Sequence, residues 1–290
     1  MVSRFTLLTT GSAVLALAAL AGCSPVEENA SPTASASASG DVCPAGALAT
    51  KTAGKLTIGT DTPAYEPWYS DNDPKNGKGF ESAVAYQVAQ RLGYSQDNVI
   101  WTSVTFNNAI APGPKAYDFD INQFSITPER RNAVDFSSPY YLVRQTVITT
   151  KGSKIAGAKS LADLRGAKLG AQVGTTSYQA VTDLIKPSTK PSVFNNNDDA
   201  KAALVNGTVD GIVVDLPTAF YMTGAELDNG VIVGQLPQVG VPEQFGLVLD
   251  KGSPLTACAS QAVTALKADG TLAKLEKEWL AGVSGAPVLS

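Results

Sequence analysis

FDINQFSITPERRNAVDFSSPYY, residues 119–141, opens with Phe119 and Ile121 on either side of Asp120, the alternation of a short buried strand. Polar residues follow at once. Asn122, Gln123, Ser125 and Thr127 crowd ahead of Pro128, which suits the first position of a short helix carrying Glu129, Arg130 and Arg131. A strand running into hydroxyls, unpaired backbone N–H groups and an arginine makes a crevice for a small anion such as a carboxylate. Taken alone, the same residues also read as a capped turn with a solvated arginine pair.

Working outward, the composition narrows the class. At 290 residues, 44% hydrophobic and 17% charged, the chain can build one large or two medium globular domains. A net charge of −4 argues against nucleic acid as a partner. The absence of histidine removes the usual general base and the commonest transition-metal ligand. An enzyme would have to work with carboxylates, lysine or hydroxyls.

Residues 1–22 read as a secretory signal: Arg4 precedes an apolar run, Val14 to Ala21, that is short for a membrane span. It ends Leu20-Ala21-Gly22-Cys23, which resembles the bacterial lipobox, whose cysteine receives lipid and becomes the mature N-terminus. Residues 23–42 then form a lipidated start and a Ser/Ala/Pro-rich linker too polar to make a core. If Cys23 carries lipid, Cys43 and Cys258 remain as a candidate disulfide in an oxidising compartment, with two buried thiols as the other reading.

From Leu56 strands alternate with helices, the pattern of an α/β protein. Expected strands are Leu56 to Gly59, Val99 to Val104, Leu142 to Thr150 as one long strand, Lys168 to Val173, Gly211 to Val214 and Phe245 to Leu249. Expected helices are Phe80 to Leu92, with Phe80, Val84, Val88 and Leu92 on one face, Ser177 to Ile185, Asp198 to Asn206, Pro254 to Ala268 and Leu272 to Leu280. Gly174-Thr175-Thr176 precedes a helix whose free N–H groups suit an anion, although a plain cap has the same appearance. Asp215 ends an apolar strand, where a carboxylate is costly to bury without a partner. It could equally cap the helix that follows.

Several of these elements occur together in an order that resembles the family-3 extracellular solute-binding proteins of ABC importers. The motifs are Asp61 with Tyr65-Glu66-Pro67-Trp68, Gly79-Phe80-Glu81, Ser125-Ile126-Thr127-Pro128-Glu129-Arg130, Val134-Asp135-Phe136-Ser137 with Pro139-Tyr140-Tyr141, Gly174-Thr175-Thr176, and Asp210-Gly211 through Asp215. The resemblance implies a type II periplasmic-binding-protein fold, two α/β lobes joined by two crossover segments with the ligand cleft between them. Carried onto this sequence, lobe one is 43–139 plus 247–290, lobe two is 142–241, and the hinge lies at about 140–144 and 242–246.

The same resemblance places Arg130 on the ligand α-carboxylate, joined by the backbone N–H groups of Ser125 and Thr176. It places Asp215 on the α-ammonium, helped by Ser125 Oγ and the Gln123 carbonyl. Tyr65 and Phe106 become aromatic walls, and Asp61, Trp68, Gln172 and Val214 fall where the family meets the ligand side chain. Two departures stand out. Gln123 replaces a small residue and is expected to reach into the pocket, and Pro112-Gly113-Pro114-Lys115 is expected to replace the family's short helix before the central strand.

The function implied is capture of an L-amino acid, a polar or basic side chain slightly favoured, and delivery to an ABC permease and its ATPase. The protein is expected to be a monomer held by its lipid on the extracellular face of the bacterial membrane, with no cofactor and no metal. The alternatives are a dehydratase-like enzyme on the same fold and a solute-sensing subunit of a membrane receptor.

Overall fold

The computed structural model describes residues 43–290 apart from 45 and 282–284. The expected signal, Cys23 and the linker lie outside the described residues. In chain order the elements are β1 (Leu56–Thr60), α1 (Phe80–Arg91), β2 (Val99–Ser103), α2 (Phe106–Ile110), β3 (Phe119–Asp120), α3 (Pro128–Arg131), β4 (Val134–Phe136), β5 (Tyr141–Leu142) and β6 (Gln145–Thr150). They continue with α4 (Leu161–Leu164), β7 (Leu169–Gln172), α5 (Thr176–Ala180), β8 (Ser192–Phe194), α6 (Asn197–Val205), β9 (Gly211–Asp215), α7 (Leu216–Tyr221), β10 (Gly230–Gln235), β11 (Gln244–Phe245), β12 (Val248–Asp250), α8 (Thr256–Ala268) and α9 (Thr271–Trp279).

Two five-stranded sheets form among the described residues, in the orders β2-β1-β3-β12-β4 and β10-β6-β9-β7-β8. Parallel pairs dominate one side of each: β1 with β2 and β3, and β7 with β8 and β9. All five residues of β1 are buried, as a central strand covered on both faces requires. Each sheet also takes in antiparallel strands that return from elsewhere in the chain, β12 in the first and β6 and β10 in the second. A short ribbon, Tyr141 beside Phe245 and Leu142 beside Gln244, carries the chain across in both directions.

The apolar stripe of α1 is core: Phe80, Val84 and Val88 are fully buried together with Val263 and Leu266 of α8 and Leu275 of α9. Two further clusters line the second sheet, one around Val147, Val181 and Val213 and one around Ile148, Ile212 and Met222. Since side chains alternate along a strand, Val147 and Ile148 face opposite sides, and the sheet is covered on both. Cys43 is bonded to Cys258 of α8, with Cα atoms 5.5 Å apart at a sequence separation of 215. Among the described residues no helix is long and apolar enough to cross a membrane.

The structure corrects three expectations, one of them Phe245 to Leu249, which is not one strand but the end of β11 and the start of β12 with Gly246 and Leu247 between them. Pro112-Gly113-Pro114-Lys115 does not replace a short helix but follows one, α2, which the sequence hides because its five residues are too few to establish an apolar period. Leu142 to Thr150 is not one strand: β5 and β6 are separated at Val143 and Arg144, where the chain leaves the crossing ribbon for the second sheet.

Candidate ligand-binding cleft

Parallel strands in an open α/β sheet aim their carboxyl ends at one crevice. Here β1, β3, β7 and β9 deliver Asp61, the Asn122-Gln123 turn, Gln172 and Asp215 to one cleft. Tyr65, Phe106, Arg130, Thr176 and Val214 also line it, beside Ser177, Asn196 and Asn197, which the sequence reading did not place in the site.

Arg130 is held from both sides. Thr127 caps α3, its Oγ1 accepting the Arg130 N–H at 3.2 Å, so the arginine leaves the helix at a fixed point. Nη1 donates to the Ser125 carbonyl at 2.7 Å and Nη2 to the Gly174 carbonyl, across the cleft, at 2.9 Å. The guanidinium lies 5.3 Å over the Phe106 ring, which is itself stacked on Phe124 at 4.9 Å. Burial pulls its pKa down to about 10, and the carboxylates of Glu243 and Asp215 oppose that pull. It stays charged at neutral pH, with N–H donors beyond the two used here.

The facing wall starts at Gly174, whose φ of +74° suits glycine and whose added Cβ would sit 2.5 Å from Asn107 Oδ1. Thr175 then caps α5, accepting the Tyr178 N–H at 3.2 Å. Asp215 occupies the cap position of α7 but its side chain makes no capping bond. Its Oδ1 instead accepts Gln145 Nε2 at 2.8 Å. The capping reading of Asp215 therefore does not hold. Burial pushes its carboxyl well above the usual range, and the Glu243 carboxylate adds to the rise.

Other expected site residues are placed unevenly. Asp61 lines the cleft while bracing it, Oδ2 accepting the Phe106 N–H at 3.0 Å and Oδ1 the Thr62 N–H at 2.7 Å. Tyr65 reaches across to Asp198, its hydroxyl 3.3 Å from Oδ2. Gln123 sits at φ +48° and turns its side-chain amide to Glu81 Oε2, while its N–H donates to Glu81 Oε1 at 2.8 Å. It lines the cleft but is anchored beneath it. Trp68 is a correction. It is fully buried against Phe80, Tyr141 and Phe245, and its indole N–H donates to Thr218 Oγ1 at 2.9 Å, so it is core and does not line the cleft.

Glu243 and Gln145 escaped the sequence reading, and Glu81 entered it only as part of the Gly79-Phe80-Glu81 motif, with no role of its own. Glu243 accepts Ser125 Oγ at 2.5 Å and Thr176 Oγ1 at 2.6 Å. Gln145, nearly buried at the start of β6, bonds Asp215, Glu243 and Ser177. Glu81 is fully buried under the cleft floor and accepts both Gln123 groups and the Tyr140 hydroxyl. A glutamate inside an expected crossing segment, and a glutamine opening an otherwise β-branched strand, were the available signals.

Burial raises the Glu81 pKa from 4.5 to about 7, against the opposing effect of its three donors. Between these values the folded chain keeps a proton that the unfolded chain releases, so stability falls as pH rises through the window. The contribution is about 3 kcal/mol. Urea unfolding at pH 5 and pH 7.5 should show a flatter profile for Glu81→Gln than for the wild type. Equal slopes would remove Glu81 as the source.

The model for bacterial extracellular solute-binding proteins, family 3, matches residues 56–282. The chain belongs to this family. It is 28% identical over 232 residues to ABC transporter arginine-binding protein 1 of Escherichia coli, covering 78% of this chain and 90% of that one. It is 30% identical over 271 residues to the L-cystine-binding protein TcyA of Bacillus subtilis, covering 92% and 94%. Among solved structures it is similar to the ancestral amino acid-binding protein AncCDT-1, a precursor of cyclohexadienyl dehydratase, at 33% identity and a TM-score of 0.64, covering 78% and 95%. The fold of this family-3 protein is thus the two-lobed type II periplasmic-binding architecture.

Proposed function

We propose that the protein captures an L-amino acid in this cleft, outside the cell membrane, and delivers it to an ABC permease served by an ATPase. The observation that carries this reading is the pairing of opposite charges across one crevice: Arg130 projects from the lobe containing the first sheet and Asp215 from the lobe containing the second. An amino acid bears its carboxylate and ammonium one carbon apart, so each lobe holds one end. The relatives named for arginine and cystine binding support that class of ligand.

Closure follows from the same arrangement, because a ligand that touches both lobes favours the state in which both are near. We place the hinge at 140–144 and 242–246, between lobe one at 43–139 plus 247–290 and lobe two at 142–241. The Asp61 carboxylate in the cleft lining favours a polar or basic side chain on the ligand. The ancestral neighbour's link to a dehydratase supports a second, enzymatic reading, but both Asp61 oxygens already accept backbone N–H groups, which disfavours it as a base. Cys23 is proposed as the lipid anchor, and Cys23→Ala is expected to free the protein from the membrane fraction.

A thermal-shift screen of the amino acids tests the assignment. A ligand present at 100 times its dissociation constant should add about 2.7 kcal/mol of stability. Asp215→Asn should weaken that ligand strongly and a des-amino analogue far less; equal losses for both would take Asp215 off the ammonium.

A further inference from the structure

Glu243 stands just ahead of β11, on the second crossing segment, and its carboxylate is bound from both lobes. Oε1 accepts Ser125 Oγ at 2.5 Å and Thr176 Oγ1 at 2.6 Å, and Gln145 Nε2 lies 3.1 Å and 3.2 Å from the two oxygens. Ser125 belongs to the loop after β3, in the first lobe, where it bridges to Phe245. Thr176 and Gln145 begin α5 and β6, in the second lobe. The two hydroxyls also lie 3.2 Å from each other.

Every atom in this cluster belongs to the protein, so none of its bonds needs a solute. A carboxylate bound by three donors, two of them hydroxyls, makes charge-assisted bonds about twice as strong as neutral ones. Moving the lobes apart must separate Ser125 from Thr176, and Glu243 cannot then keep both. The hydroxyl polarity is fixed as well. Each hydroxyl has one proton, and with that proton on Glu243 it presents only lone pairs to the cleft. Thr176, which lines the cleft, is therefore an acceptor toward a ligand there, which suits an ammonium and not a carboxylate.

We propose that Glu243 is an internal latch, a hinge-borne carboxylate that holds the two lobes together and fixes the Ser125 and Thr176 hydroxyls as acceptors before any solute arrives. It rests on the reading of the cleft as one that opens and closes around a solute. The latch sets the starting population from which a ligand shifts the equilibrium, and a protein already biased to the closed form needs less differential affinity to complete closure.

The test is small-angle X-ray scattering of the full chain, freed of solute by unfolding in guanidinium and refolding with the disulfide intact. Residues outside the two lobes contribute equally to every variant. Glu243→Ala should raise the open-to-closed ratio at least tenfold, equivalent to about 1.4 kcal/mol, and appear as a larger radius of gyration. Glu243→Gln should shift it in the same direction by less, because its amide oxygen still accepts one hydroxyl without the charge. Ser125→Ala added to Glu243→Ala should add little, since its bond to Glu243 is already gone and only the neutral contact with the Thr176 hydroxyl at 3.2 Å remains to be lost. Circular dichroism checks folding, and if the alanine variant does not refold, the glutamine variant alone carries the same expected direction. Scattering indistinguishable between wild type and the Glu243 variants, or a more compact variant, overturns the latch. A chain that opens as expected but binds no amino acid in the thermal screen leaves the latch standing and overturns the transport reading instead.

Discussion

Arg130→Ala is expected to weaken amino-acid binding by two to nearly four decades. The guanidinium is largely desolvated and spans the cleft between the Ser125 and Gly174 carbonyls, so its charge is already in place for a carboxylate. Removing one partner of a desolvated pair strands the other and costs about 3–5 kcal/mol, which gives that range in affinity. Two carbonyls that it now satisfies also lose their donor, and one of those bonds joins the lobes. Arg130→Lys should lose much of the affinity too, because a point charge cannot serve two carbonyls, the Phe106 face and a carboxylate together. Calorimetry on the ligand from the thermal screen, with circular dichroism for folding, decides it. Binding within about threefold of wild type, a change of only ~0.7 kcal/mol, would take the carboxylate away from Arg130.

Loss of the Cys43–Cys258 bond should be the largest change in stability. It closes a loop of 215 residues, for which the chain-entropy model gives about 5 kcal/mol as an upper figure. Cys258 lies on the buried side of α8, among Ala259, Ala262 and Val263, so the bond ties the start of the described chain to the core of the first lobe. Neither cysteine lines the cleft. Cys43→Ser with Cys258→Ser should therefore lower the urea unfolding free energy by several kcal/mol while leaving affinity nearly intact. A loss below about 1 kcal/mol would mean that the unfolded chain gains little freedom from the cut.

The sequence was most legible where local chemistry and periodicity agreed. The stripe of Phe80, Val84 and Val88 reads as a helix face from spacing alone, and Pro128 after Thr127 announces α3 through cap and proline together. Asp215 needed more. An aspartate before Leu216-Pro217 looks like a helix cap, and only its bond to Gln145, a partner 70 residues away, shows that the carboxylate is turned elsewhere. Trp68 misled for the same reason. An aromatic residue near the end of a strand loop can face a cleft or the core, and the choice rests on Tyr141 and Phe245, which the paired strands β5 and β11 bring to it. Glu243 was hidden because it belongs to no local pattern, and Glu81, though part of the Gly79-Phe80-Glu81 motif, gave no sign of its role, because the partners of both come from separate parts of the chain. Long-range polar contacts leave almost no trace in neighbouring residues.

The central claim is that the cleft recognises an amino acid by both of its charges, one from each lobe. Calorimetric titration of the amino acid found in the screen, beside its N-acetyl derivative and its decarboxylated amine, tests this most directly. Each modified compound should bind at least a hundredfold more weakly than the parent, about 2.7 kcal/mol, since each leaves either Asp215 or Arg130 without its partner. Binding of either compound within threefold of the parent would contradict it.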